Sequence, residues 1–168
     1  ITATLGKVSA TFTVTVKNPL ITAKADSSVI YTKSKTTTKI NVVKDGVTGN
    51  ATFRSSNTKV ATVSANGTVK AKKAGKVNIT VQVGNYKQVV KITVKKPTMK
   101  LVKSSAKLKK GKKVTIKVKA APVSKVTFKS SNKKVATVSS KGVVKAKKKG
   151  TAIITVKCNG ITKKFKVT

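Results

Sequence analysis

The chain predicts an all-β protein built as small two-sheet sandwiches in tandem. The first of three supporting observations is an internal repeat. Phe53–Val83 reads FRSSNTKVATVSANGTVKAKKAGKVNITVQV and Phe128–Cys158 reads FKSSNKKVATVSSKGVVKAKKKGTAIITVKC; at an ungapped offset of 75, 20 of the 31 aligned positions are identical. A fixed period defines the folding unit and marks an array of one module. The second is strict period-two alternation. Val77, Ile79, Val81 and Val83 alternate with Lys76, Asn78, Thr80 and Gln82, and Val114, Ile116, Val118 and Ala120 with Lys113, Thr115, Lys117 and Lys119. Such strands bury one face and solvate the other. The third is composition: β-branched residues dominate, aromatics are limited to four Phe and two Tyr, and no segment carries a 3.6-residue apolar stripe.

The elements follow in order. Ile1–Pro19 aligns with Ile79–Pro97 at an offset of 78, so that Gly6 falls on Gly84 and Val14 and Val16 fall on Ile92 and Val94. Residues 1–17 therefore read as the last two strands of a preceding repeat, and the chain as a piece of a longer array. Pro19 and Pro97 mark the junctions, where no ladder N–H is needed. Residues 18–96 form the first full module, with strands near 20–24, 28–31, 36–43, 51–55, 60–64, 68–73, 76–83 and 86–95. Residues 97–168 form the second, with strands near 99–102, 105–108, 112–120, 125–130, 135–139, 143–148, 151–158 and 161–168. Turn signals at Asp45-Gly46, Asn66-Gly67, Gly84-Asn85, Lys141-Gly142 and Asn159-Gly160 separate them. Seven or so short strands per module with regular turns indicate a sandwich. The short junctions predict neighbouring modules held end to end.

The repeated run SSN-x-KVATVS-x-x-G-x-VKAKK-x-G-x-x-x-ITV resembles the bacterial immunoglobulin-like domain of group 2. That family occurs in intimin- and invasin-type surface proteins, in clostridial surface proteins and on phage virions. The residues that carry the resemblance are Ser55–Asn57, Val60–Val63, Gly67, Gly75 and Ile79–Val81, with Ser130–Asn132, Val135–Val138, Gly142, Gly150 and Ile154–Val156 as their second copies. It implies tandem immunoglobulin-like Greek-key β-sandwiches and no shared catalytic residues. Two departures stand out. Phe53 and Phe128 precede the Ser-Ser pair where many relatives carry Trp, and acids are nearly absent, which argues against calcium-stiffened junctions.

Charge is the loudest chemical signal. The chain holds 39 Lys plus Arg against two acids, Asp26 and Asp45, with no His, for a net charge of +37. Without His, and with both acids read as turn and loop residues, general acid–base chemistry has no evident donors. The Ser-Ser pairs lack a base. Neither a carboxylate cage for hard cations nor a Cys/His set for zinc is present in the composition. No cofactor is implied. An internal Lys–Asn cross-link needs a buried acid, and the second module has none. Cys158, the single cysteine, falls in phase with Ala152, Ile154 and Val156 and is expected to point into the core.

Lys70, Lys72 and Lys73 recur as Lys145, Lys147 and Lys148, with Lys149 added and Lys163, Lys164 and Lys166 on the following hairpin. Two readings stand: a solvated strand face, and a surface that binds an anionic cell-wall polymer, glycan or mucin. Sequence-specific nucleic-acid binding would call for Arg forks and stacking aromatics, and Arg54 is the one arginine. No segment is apolar and long enough to span a membrane. The expected role is a non-enzymatic extracellular spacer or adhesive module of a bacterial surface protein or fibre. A phage decoration or tail domain and an accessory module of a larger secreted enzyme are the alternatives. The leading strands also raise assembly into a homopolymer by strand addition.

Overall fold

The computed structural model describes residues 2–13 and 18–168. Nineteen strands are assigned among them: β1 (Thr2–Leu5), β2 (Val8–Thr11), β3 (Leu20–Ala25), β4 (Val29–Tyr31), β5 (Thr37–Asp45), β6 (Thr52–Ser55), β7 (Ala61–Val63), β8 (Thr68–Ala71), β9 (Gly75–Val83), β10 (Tyr86–Lys95), β11 (Thr98–Leu101), β12 (Ser105–Ala106), β13 (Lys113–Thr115), β14 (Val118–Ala121), β15 (Thr127–Ser130), β16 (Ala136–Val138), β17 (Val143–Ala146), β18 (Ala152–Cys158) and β19 (Ile161–Val167). No helix of the described residues is long and apolar enough to cross a membrane.

β1 and β2 form an antiparallel hairpin, Thr2 opposite Thr11 and Leu5 opposite Val8, turning at Gly6 with φ 62°. Every residue of the two strands is exposed. Ile1, and the positions Val14 and Val16 that align with Ile92 and Val94, lie outside the described residues.

Residues 20–95 make one sandwich. One sheet has the order β3-β5-β8-β7 and the other β4-β10-β9-β6, antiparallel except where β4 runs parallel to β10. This interleaved order is a Greek key. Alternation along β9 and β10 drives Val77, Ile79, Val81, Val90, Ile92 and Val94 into a core that Ile30, Ile40, Ala61 and Val69 close from the facing sheet and edge. The second sandwich repeats this with β12-β19-β18-β15 on one side and β13-β17-β16 with β11-β14 on the other. Its core is a separate cluster around Met99, Ile116, Val144, Ile154, Val156 and Phe165.

The single strand expected over 112–120 is two strands. Its first part pairs with β17 and its second with β11. At the handover Ile116 N–H donates to Gly142 O at 2.9 Å, and Lys117 O accepts from Val102 N–H at 3.0 Å. In the first module a continuous β5 makes the same change of partner, from β8 to β3. A strand that serves two neighbours in turn must twist between them.

The repeated glycines are explained by packing. Gly67 and Gly142 adopt φ of 82° and 78°. A Cβ at Gly67 would lie 2.9 Å from the ring tip of Phe53 and 3.0 Å from Ile40 O; at Gly142 it would lie 2.8 Å from Phe128. Each phenyl ring thus needs a residue without a side chain beneath it.

Candidate basic surface and its clefts

The Ser-Ser-Asn runs are structural. Ser55 Oγ donates to Ala61 O at 2.7 Å and Ser130 Oγ to Ala136 O at 2.6 Å, tying β6 to β7 and β15 to β16. Ser56 Oγ accepts from Asn78 N–H at 3.1 Å and Ser131 Oγ from Ile153 N–H at 2.9 Å. Asn57 and Asn132 each accept, through Oδ1, the N–H two residues on at 3.0 Å. These groups close turns and edge positions whose backbone would otherwise go unpaired.

The two carboxylates do not converge. Asp45 lies opposite Leu20 on the β3–β5 ladder, while Asp26 follows Ala25, which lies opposite Ile40. Six residues of strand separate them, about 20 Å at strand rise, against the roughly 5–10 Å a carboxylate pair needs. Asp26 instead accepts from Asn41 Nδ2 at 2.7 Å. Cys158 is 3% exposed and takes the place that Val83 fills in the first module. No group of three or more His, Cys, Asp or Glu that could hold a metal ion occurs among the described residues.

The ten lysines singled out from the sequence are all exposed, and they do not form one patch. Lys70 sits mid-row on β8 between Thr37 and Thr62. Lys145, its repeat, sits between Lys113 and Thr137 on the outer face of the second module. Lys164 and Lys166 lie on the outer face of the opposite sheet, where Thr155 stands between Lys164 and Lys129. Lys163 has the core-facing parity of Phe165 and Val167 but lies near the turn of the hairpin, opposite Val156, and is exposed. Lys72, Lys73, Lys147 and Lys148 occupy loops pinned by their own N–H groups to Val60 O and Val135 O. Lys148 and Lys149 meet Lys109 and Lys110 around a recess of about 200 Å³.

Sequence reading missed Lys113, Lys109 and Lys110, because pairing across sheets and loops, not spacing along the chain, sets their neighbours. One countable signal was available. Of the 39 basic residues, 22 fall in 97–168 with no acid, 15 fall in 18–96 beside both acids, and two precede residue 18.

A shallow cleft opens on the side of each sandwich. In the first module Ile40, Val42, Ala51 and Phe53 form its floor, with Lys39, Asn50 and Asn66 at its rim, in about 590 Å³. In the second Ile116, Val118, Val126 and Phe128 form the floor, with Lys125, Lys141, Ser139 and Ser140 at the rim, in about 670 Å³.

Comparison with known proteins now adds the family. The bacterial Ig-like domain (group 2) matches twice, over residues 14–94 and 96–168. The chain belongs to that family. A 65-residue stretch of the chain, 36% of it, matches the kappa-carrageenase of Pseudoalteromonas carrageenovora at 51% identity and covers 16% of that enzyme. The chain thus spans a small fraction of the curated relative it matches. Among solved structures, domains 4 and 5 of the S-layer protein SbsC align over 88% of this chain and 96% of theirs, at 23% identity and a TM-score of 0.46. The C-terminal 282-residue fragment of intimin, in complex with the intimin-binding domain of its translocated receptor, aligns over 88% of this chain and 63% of its own. Its identity is 22% and its TM-score 0.42.

Proposed function

We propose that these Ig-like modules are a non-catalytic extracellular unit, in which the first module acts as a spacer and the second docks onto an anionic polymer. The observation that carries this reading is the placement of charge. Lys113 and Lys145 stand directly opposite each other on a ladder where the first module has Thr37 and Lys70. Like charges at that position destabilise a sheet, so the fold alone gives no reason for them. A polyanion neutralises them and releases its counterions on binding. The lysine-rich faces on both sheets suit a linear polymer that wraps or bridges, such as an acidic wall polymer, mucin or sulfated glycan. Lysine supplies charge without the bidentate geometry of base reading.

The test is retention of the intact chain on an immobilised anionic polysaccharide across a sodium chloride series. Retention should fall steeply and linearly in a double-logarithmic plot, and more for the second module than for the first. Retention that ignores salt, or equal retention of a chain with its second-module lysines reduced to the first-module pattern, overturns the reading.

The carrageenase match favours a second form of the same role, an accessory module of a secreted polysaccharide-acting enzyme. The coding sequence on both sides of this segment decides it: a catalytic domain in the same polypeptide supports the accessory form, and further modules or an anchor support the surface form.

A further inference from the structure

The side cleft of the second module has features that the docking of a bare polyanion does not require. Its floor is apolar and only half-buried at Val118, Val126, Phe128 and Val138. A face of that kind leaves apolar surface for a ligand to cover. The rim carries two ammonium groups, Lys125 and Lys141, and the hydroxyls of Thr127, Ser139 and Ser140 also line the cleft. The volume of about 670 Å³ lies within the range of small-molecule sites.

The first module supplies an internal comparison. Its cleft has the same floor, with Ile40, Val42 and Phe53 in the places of Ile116, Val118 and Phe128. At the corresponding rim positions it has Asn50 for Lys125, Asn66 for Lys141 and Ala65 for Ser140, and Ala51 replaces Val126 on the floor. Each module folds with its own set, and the first module's rim keeps one lysine, Lys39, where the second module has Thr115, so the sandwich as such does not call for Lys125, Lys141 or the added hydroxyl.

We propose that the second-module cleft binds one anionic sugar unit of a polysaccharide, a pyranose carrying a sulfate ester or a carboxylate. Its apolar ring face would cover Phe128 and Val126, its charged group would lie between Lys125 and Lys141, and its hydroxyls would meet the rim serines. This rests on the docking reading and deepens it. Apolar floor, flanking cations and hydroxyl rim together match a charged sugar better than a simple chain of phosphates, which has no ring face to place.

The experiment is an amide NMR titration of the intact chain with a sulfated oligosaccharide, a uronic-acid oligosaccharide, the desulfated oligosaccharide and a single-stranded oligonucleotide. Shifts should concentrate on residues 116–118, 126–128 and 139–142 with one of the two charged sugars, and which one responds identifies the anionic group. Lys125→Asn with Lys141→Asn installs the first module's two asparagines and should weaken binding about tenfold, the scale of two lost solvent-exposed ion pairs. Asn50→Lys with Asn66→Lys should create a second site. Equal affinity of the desulfated sugar, shifts spread evenly over all lysines, stronger binding of the oligonucleotide at these residues, or an unchanged Lys125→Asn/Lys141→Asn variant each overturns the cleft assignment. If that variant is unchanged while salt-sensitive retention persists, the cleft falls and the docking reading stands. If the native chain is not retained on any anionic polymer, both fall.

Discussion

Replacing Gly67 by alanine separates two costs that the structure assigns to different positions. At φ 82° an alanine enters the left-handed region, which costs about 1–2 kcal/mol. Its Cβ would also lie 2.9 Å from the Phe53 ring tip and 3.0 Å from Ile40 O. The half-buried ring packs against the core and the carbonyl belongs to β5, so neither retreats freely. Overpacking of that kind adds about 1–3 kcal/mol. Less than 1 kcal/mol returns through the stiffer unfolded chain. The net expectation is a loss of about 3 kcal/mol. Gly84 is the control: φ is 54° and nothing lies within 4 Å of its notional Cβ. Gly84→Ala should cost about 1 kcal/mol, from the backbone alone.

Differential scanning calorimetry reads the difference. For a module of this size about 1 kcal/mol moves the midpoint by roughly 4–8 °C. Gly67→Ala should therefore lower the first module's transition about three times as far as Gly84→Ala. Trimming the ring in the double variant Gly67→Ala/Phe53→Leu should recover part of the loss, because the two side chains share one space. Equal shifts for the two single variants, or strictly additive effects of Gly67→Ala and Phe53→Leu, would refute the ring-on-glycine account.

Other outcomes follow from the same comparison of modules. Cys158→Val should change stability by less than about 1 kcal/mol, since Val83 already fills the matching position; native Cys158 should react with an alkylating reagent far more slowly than the unfolded chain. Ser130→Ala removes the bond to Ala136 O and strands a buried carbonyl, so urea unfolding should show a loss of about 1–3 kcal/mol for the second module. Lys113→Thr installs the first module's residue opposite Lys145. It should stabilise the second module by about 0.2–1 kcal/mol at low ionic strength, with the gain shrinking as salt is added, while retention on an anionic polysaccharide falls.

The sandwich was legible because a period-two pattern with one buried face survives any neighbour. The run from Val77 to Val83 buries its four valine and isoleucine side chains as the alternation requires. The inward position of Cys158 follows from the same phase. The break at Ile116–Lys117 was not legible, because nothing in 112–120 interrupts the alternation; the strand changes partner, and partner choice is a property of the sheet. The basic surface was half legible. Counting lysines locates excess charge in the second module, but spacing along the chain cannot show that Lys145 faces Lys113, or that Lys145 and Lys164 lie on opposite sheets. Lys125 and Lys141 are sixteen residues apart in sequence and share one cleft only because the segment entering β15 and the turn between β16 and β17 both line it. The Ser-Ser-Asn run was legible as a motif, but its role as a turn and edge lock depends on carbonyls of β7 and β16 that fold against it.

Salt ought to push stability and docking in opposite directions, and that opposition distinguishes a functional lysine coat from a merely solvating one. The second module carries 22 positive charges and no carboxylate, so its folded state is under self-repulsion that added salt screens. Its thermal midpoint should therefore rise with sodium chloride. Docking depends on the same unscreened charge and should weaken over the same range. A polyanion at low salt should do what salt does to the repulsion, and raise the midpoint by binding the folded state. The first module, with 15 positive charges and both acids, should show the smaller response in each measurement. Calorimetry at a few ionic strengths, with and without a sulfated glycan, measures all of these effects on one sample. A second-module midpoint that is flat in salt and unmoved by the glycan would mean that its lysines neither repel one another enough to matter nor meet a partner, and the docking role would have no physical basis.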